Sequence, residues 1–314
     1  LYLRPDYSIV FDKSAQDWLS NRMRNNPQYY IYGGHKAREE FTDIVKKYKT
    51  KKNAIKHIQD TFNGYPYDQI SSEKTTILIT SGGGGTVQRV YKLLKKIAQL
   101  QKGNLDFLDK YQFFIICGSN KGFYEKIMRI RKIRLSWQNF FPFSWMDAKR
   151  YAHLQFASDY PILYSVAPAT MFELLQTKCL PIIVHKLRGG YEKGNADFIV
   201  NNNVGKYINR MDQLLLELFT EKRKSEIENY WKNADKIIEE ETSRLEEFPE
   251  ELVKIHDKFK SSKIYDRYKV TASYKFTSRV LIFIFSNLFG FYRFDNWAKQ
   301  KYKNFKAFVR SKIS

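Results

Sequence analysis

Residues 80–86 read T-S-G-G-G-G-T and join an apolar run to a helix-like pattern. Glycines at Gly82, Gly83, Gly84 and Gly85, entered through Ser81, allow a backbone to approach a phosphate closely. A helix that follows offers N–H groups and the positive end of its dipole. A flexible linker is the plainer reading, and the flanking strand and helix patterns argue against it. The P-loop lysine pattern is absent, because no Gly-Lys-Ser/Thr follows. Residues 188–195 read R-G-G-Y-E-K-G-N, and Glu192 and Asn195 there suit sugar hydroxyls as hydrogen-bond partners. Glu173 stands in a helical stretch between Phe172 and Leu174, which favours burial near a ligand over a solvated surface. Residues 117–120, C-G-S-N, read alone as a turn with an Asn cap.

Other chemistries leave no trace. The five histidines are scattered without ligand spacing, so no metal site is expected. No Asp-x-Asp pair occurs, which argues against holding a nucleotide diphosphate through a metal on such a pair. Ser-His-Asp and G-x-S-x-G patterns are missing. Cys117 and Cys179 lie in apolar runs, which excludes a disulfide framework and favours a reducing compartment.

Positioning these residues requires strands and helices in alternation. Apolar runs at residues 7–11, 28–32, 75–80, 112–117, 139–143, 161–165 and 181–185 read as strands. Helical spacing fills 14–24, 36–62, the stretch from Thr86, 146–156, 170–178 and 195–201. Most strands are continuous apolar runs, as expected when both faces of a sheet are covered. The reading is an α/β, doubly wound parallel sheet, whose ligands sit at the carboxyl ends of the strands. Residues 81–85, 118–120, 165–170 and 186–195 are the candidate loops there.

The chain has 314 residues, is 43% hydrophobic and carries a net charge of +21. That composition excludes a disordered chain and calls for an anionic partner, whether nucleic acid, membrane or phosphorylated substrate. It starts at Leu rather than Met, and a piece of a longer protein is expected. Residues 211–262 are charged and helical, and 263–314 mix twelve Lys or Arg with two Asp and many aromatics. The apolar run beginning at Val280 is too short to span a bilayer. It suits an interfacial segment with its cations on anionic headgroups, against the bland reading of a helix packed back on the domain. No nucleic-acid motif accompanies the charge, so no nucleic-acid partner is expected.

Five segments together resemble the C-terminal half of GT-B glycosyltransferases. Closest in kind are the monogalactosyldiacylglycerol synthases, the processive diacylglycerol glucosyltransferases and the peptidoglycan N-acetylglucosaminyltransferase. YSIVFDKSAQDWL with YYIYGG is similar to their hinge, ILITSGGGG to their interdomain glycine loop, and FFIICGSNKGFYEKI to their strand ending in Cys-Gly-x-Asn. APATMFELLQTKCLPIIV resembles their Gly-Pro-Gly-Thr-x-x-Glu helix, and RGGYEKGNADFIVNNNVG their donor loop.

The resemblance implies a UDP-sugar donor and no other cofactor. Glu173 would hold the ribose, the Ala169 and Thr170 backbone the diphosphate, Glu192 and Asn195 the sugar, and the backbone around Phe143 the uracil. It further implies an inverting, metal-independent hexosyl transfer to a lipid such as diacylglycerol. The chain would work in the cytoplasm, peripheral on an inner membrane face and held through residues 280–314. Ala167, Ala169 and Tyr191 depart from the family pattern. On this reading 1–35 is a hinge-like segment, 36–210 the donor domain, 211–262 charged helices and 263–314 a basic tail. An acceptor half, and with it the catalytic base, has no counterpart in the sequence. The alternatives are a non-catalytic nucleotide-sugar-binding half with a separate acceptor-binding chain, and a basic nucleic-acid-binding protein.

Overall fold

β-Branched and aromatic side chains fit a pleated surface covered on both faces, and the apolar runs become strands for that reason. The computed structural model describes residues 8–10, 30–62, 64–80, 87–103, 106–187, 189, 192–220 and 224–260. Strands β1 (Ser8–Val10) and β2 (Tyr30–Tyr32) pair in parallel as a sheet of their own. The main sheet holds β3 (Thr75–Thr80), β4 (Tyr111–Gly118), β5 (Phe140–Ser144), β6 (Tyr160–Leu163), β7 (Ile182–Val184) and β8 (Gly205–Tyr207). Every pairing in it is parallel, and its order is β5-β4-β3-β6-β7-β8. This is the doubly wound order, with the direction of winding reversing between β3 and β6. Their register ends with Thr80 beside Leu163.

Ten helices are described: α1 (Glu39–Lys47), α2 (Lys51–Phe62), α3 (Val87–Gly103), α4 (Asp106–Lys110), α5 (Lys121–Ile133), α6 (Ala148–Phe156), α7 (Pro168–Gln176), α8 (Lys193–Asn201), α9 (Met211–Phe219) and α10 (Lys224–Lys260). Alternation along the strands divides the core in two. Ile77, Ile79, Phe113 and Ile115 meet Leu93 and Ile97 of α3, Ile127 of α5 and Leu214 of α9. Leu78, Phe114, Phe143 and Leu163 meet Ile55 of α2, Leu154 of α6, Leu174 of α7, Ile199 of α8 and Ala234 of α10. Each such aliphatic side chain gains about 1.5–3 kcal/mol on full burial.

The structure refines several expectations. The helical stretch 36–62 is two helices, α1 and α2, with a break at residues 48–50. Strand β8 was not expected, since Gly-Lys-Tyr has no apolar run. It forms because Gly205 lets it pass close to β7: a Cβ there would lie 2.0 Å from the Ile182 carbonyl oxygen. Helix α8 starts at Lys193, so Asn195 belongs to its first turn and not to the loop. The glycine loop with Ser81, Gly82, Gly83, Gly84 and Gly85, the expected helix at 14–24, Tyr191 and the tail 263–314 lie outside the described residues.

The chain divides into two compact units, Leu1–Phe248 and Pro249–Ser314. The first holds both sheets, and α9 and α10 add Leu218 and Ile237 to its core. The second is described only over residues 249–260, which are helical. No helix among the described residues is long and apolar enough to cross a membrane.

Candidate functional site

A ligand of this sheet belongs at the carboxyl ends of β3 and β6, where the winding reverses. There the chain is stitched together by bonds between distant segments. Tyr164 donates its N–H to the Thr80 carbonyl at 3.2 Å, and its hydroxyl to the Arg89 carbonyl of α3 at 3.3 Å. Arg89 Nη1 donates to the Leu187 carbonyl at 3.2 Å. The Ser165 hydroxyl donates to Glu192 Oε1, and Asn195 Nδ2 donates to the Val166 carbonyl at 2.8 Å. Glu192 and Asn195, expected to share a crevice, thus converge on the turn after β6. Ser165 is the partner that sequence reading left unnamed.

The helices that enter this edge differ in their caps. Asn120 Oδ1 accepts from the Phe123 N–H at 2.9 Å and caps α5, which is the structural reading of C-G-S-N. Asp147 caps α6 in the same way, accepting from the Arg150 N–H at 2.8 Å. At α7 and α8 the cap positions are Ala167 and Glu192, and neither side chain caps its helix. Pro168 follows Ala167 at the first helical position, which suits Pro because that N–H has no partner within the helix. The N–H groups of Ala169 and Thr170 therefore donate no bond to the cap side chain. Ala167 is exposed there, and Ala169 and Thr170 are half-buried. Such a terminus favours an anion through its N–H groups and its dipole.

Glu173 sits deeper than a contact residue usually does. Met171, Phe172, Glu173, Leu174 and Leu175 are all buried, because α7 is packed on every side. The Glu173 carboxylate is met by Arg38, whose Nε donates to Oε1 at 2.6 Å. Burial raises the carboxyl's pKa, and the Arg38 bond pulls against that rise. The stretch that carries Arg38 also grips the preceding residue, since the His35 ring stacks on Phe172 at 4.4 Å. His35 is fixed in turn by its N–H bond to Glu241 Oε2 at 2.8 Å. Beside it Gly34, at φ +75°, packs so near the α10 backbone that a Cβ would lie 2.7 Å from the Glu241 carbonyl.

Phe143 turns its ring into the core, stacked on Tyr67 at 5.2 Å, so only its backbone is offered to the edge. Beyond it, at the carboxyl end of β5, Trp145 is 73% exposed. Cys117 is buried, and burial pushes its thiol up to about 12, which disfavours the thiolate at neutral pH. At the end of β7, His185 is fully buried edge-on to Tyr164. Its Nδ1 donates to the Ile208 carbonyl at 2.7 Å, while its Nε2 finds no hydrogen-bond partner among the described residues. Lys186 follows at φ +60°, a left-handed backbone uncommon for a residue with a side chain. His185 and Trp145 were not anticipated, because an isolated His or Trp carries no spacing signal. No group of His, Cys, Asp and Glu among the described residues could hold a metal ion.

The sequence matches no family model and none of the curated proteins. Solved structures do match. A glycosyltransferase from Rickettsia africae aligns over 82% of this chain and 64% of its own, with 15% identity and a TM-score of 0.54. WaaG, a glycosyltransferase of lipopolysaccharide biosynthesis, aligns over 79% of this chain and 61% of its own, with 14% identity and a TM-score of 0.49. A UDP-GlcNAc 2-epimerase from Neisseria meningitidis, solved with UDP-GlcNAc bound, aligns over 76% and 61%, with 16% identity and a TM-score of 0.47. The chain spans less than two thirds of each of these structures. Strand order, winding and the likeness to the Rickettsia africae structure agree on one fold, a Rossmann-like α/β fold shared with a solved glycosyltransferase.

Proposed function

We propose that the chain is the nucleotide-sugar-binding half of a GT-B-type glycosyltransferase, one that moves a hexose from a UDP-sugar to a lipid such as diacylglycerol. The observation that carries this reading is the convergence at the β6 end. Two helices without side-chain caps open there beside Ser165, Glu192 and Asn195. On this reading the diphosphate lies on the N–H groups of Ala169 and Thr170. The dipole of α7 then offsets the charge that grows on UDP as the anomeric bond breaks. Asn195 and Glu192 hold the edge of the sugar pocket, and the backbone at Phe143 and Ser144 faces the base.

The ribose role of Glu173 takes a specific form here. Arg38 occupies Oε1, so the other carboxylate oxygen is the one assigned to the ribose hydroxyls, with Arg38 holding the carboxylate in place. The lipid acceptor and the membrane surface rest on the sequence of residues 280–314, with its run of apolar and aromatic residues among cations. An acceptor-binding half, in the same protein or another, supplies the catalytic base.

Calorimetry with UDP and with UDP-hexoses tests the reading. Binding of UDP, weakened in Glu173→Ala with the fold intact, is the expected result. Absence of binding to any uridine nucleotide, with RNA bound instead, would overturn it in favour of a nucleic-acid protein.

A further inference from the structure

At the opposite edge of the sheet, Arg131 stands near the end of α5, 1% exposed. Its Nη2 donates to Gln69 Oε1 at 2.7 Å, and its Nε and Nη1 find no hydrogen-bond partner among the described residues. Those two nitrogens carry most of the guanidinium's N–H donors. Among the described residues no carboxylate comes within ion-pair distance of it. Its Cζ lies 4.6 Å from the centre of the Phe141 ring and 5.0 Å from that of Tyr65. The ring faces attract the cation, and the Tyr65 hydroxyl and the Asp68 carboxylate add to that attraction without closing a hydrogen bond or ion pair on Nε or Nη1. A buried charge with open donors is unusual in a native protein and calls for a partner.

The space for one is present. Tyr65, Gln69, Arg131, Lys132 and Gln138 line a cavity of about 620 Å³. Gln69 precedes β3, and Lys132 and Gln138 precede β5, so the cavity opens at the amino-terminal edge, away from the donor crevice. Of its lining residues, Lys132 and Gln138 are exposed.

We propose that this cavity binds a phosphate monoester, with Arg131 at its floor and Lys132 at its mouth. Two cations match a group that carries close to two negative charges better than they match a single carboxylate. The volume exceeds that of a bare ion and leaves room for whatever the phosphate is attached to. A lipid headgroup of the phosphatidic acid type and a soluble phosphate ester share this chemistry. The site stands apart from the nucleotide-sugar reading and holds whether or not that reading does.

The test uses the full chain, titrated with inorganic phosphate and with glycerol 3-phosphate at constant ionic strength, saturating UDP being present to fill the donor crevice. Flotation on phosphatidylcholine vesicles with and without phosphatidic acid forms the second arm. Lys132→Gln with Gln138→Leu alters only the exposed mouth, and Arg131→Gln removes the floor. Phosphate binding that persists under UDP and weakens roughly tenfold or more in the mouth variant is expected, since a charged hydrogen bond is lost. Binding to the soluble ester assigns a free metabolite; variant-sensitive binding to phosphatidic acid vesicles alone assigns a headgroup. No phosphate or phosphatidic acid bound by the parent, or equal affinity in the mouth variant, overturns the proposal and leaves Arg131 as a structural cation on Phe141. The mouth variant decides the matter even if Arg131→Gln does not fold.

Discussion

Arg38 and Glu173, 135 residues apart, are joined by a 2.6 Å bond from Nε to Oε1 that clamps the approach to α1 onto α7. The arginine keeps about a third of its side chain in solvent, while the carboxylate is almost wholly enclosed. Removing the cation leaves the carboxylate buried and uncompensated. Arg38→Ala is therefore expected to cost on the order of 3 kcal/mol at neutral pH. The pH dependence has a definite sign. The folded-state pKa of Glu173 is already raised by burial, and losing Arg38 raises it further. A carboxyl of raised pKa takes up its proton more readily in the folded state, so the penalty shrinks as pH falls from 7 towards 5. Thermal melts of parent and variant across that range check it; a constant gap would mean that Glu173 is not the group that suffers.

The uncapped N-terminus of α7 suggests a trade of stability against binding. Ala167 has extended cap geometry but no side chain to satisfy the helix. Ala167→Asp is expected to raise stability by about 1 kcal/mol and to weaken UDP binding, since it places a carboxylate where the diphosphate is assigned. Ala167→Gly with Ala169→Gly should tighten UDP binding if the β-carbons only obstruct, against an entropy cost of about 0.5–1 kcal/mol per glycine. Melting curves and UDP calorimetry on both variants separate cap from ligand site.

Ser165 and Asn195 tie the β6 turn to α8 through Glu192 Oε1 and the Val166 carbonyl. Asn195→Ala leaves that carbonyl without its side-chain donor and is expected to cost about 1 kcal/mol of stability. Ser165→Ala should cost less stability in proportion to its effect on UDP-sugar affinity, because Glu192 then loses its orientation. UDP and a UDP-hexose are to be compared in each variant: a loss confined to the hexose places the pair at the sugar end, and equal affinity everywhere removes both residues from the site.

His153 and His57 stack at 4.3 Å beside Tyr48, whose hydroxyl lies 3.3 Å from His153 Nε2. His153 Nδ1 donates to the Lys149 carbonyl at 2.7 Å, so the neutral ring has its proton there. Burial lowers the pKa of His153, of His57 and of His185 below the usual histidine value. At these three rings the unfolded chain thus binds more protons than the folded one as pH falls below about 6.5, and their contribution to stability declines in that window. His153→Asn, which keeps a donor for the Lys149 carbonyl, should flatten the fall in melting temperature between pH 7 and 5. An unchanged slope would assign the fall to His57 and His185.

The alternation of strands and helices and the residues that form the core were legible in the sequence, because burial on two faces imposes continuous apolar runs and amphipathic spacing locally. Leu78, Phe114 and Leu163 lie in the core where their runs place them. Glu192 and Asn195 could be singled out by type and spacing alone. Which strand lies beside which was a different matter. Parallel strands are joined by crossovers, so the pairing of Thr80 with Leu163 spans a distance that no local pattern reports. Strand β8 exists through the close pass of Gly205 over Ile182, a contact without a sequence period. Ser165 meeting Glu192, Arg38 meeting Glu173 and Arg131 left with donors open among the described residues are likewise products of chain crossing, since a side chain's partner is chosen by what tertiary packing brings within three ångströms of it.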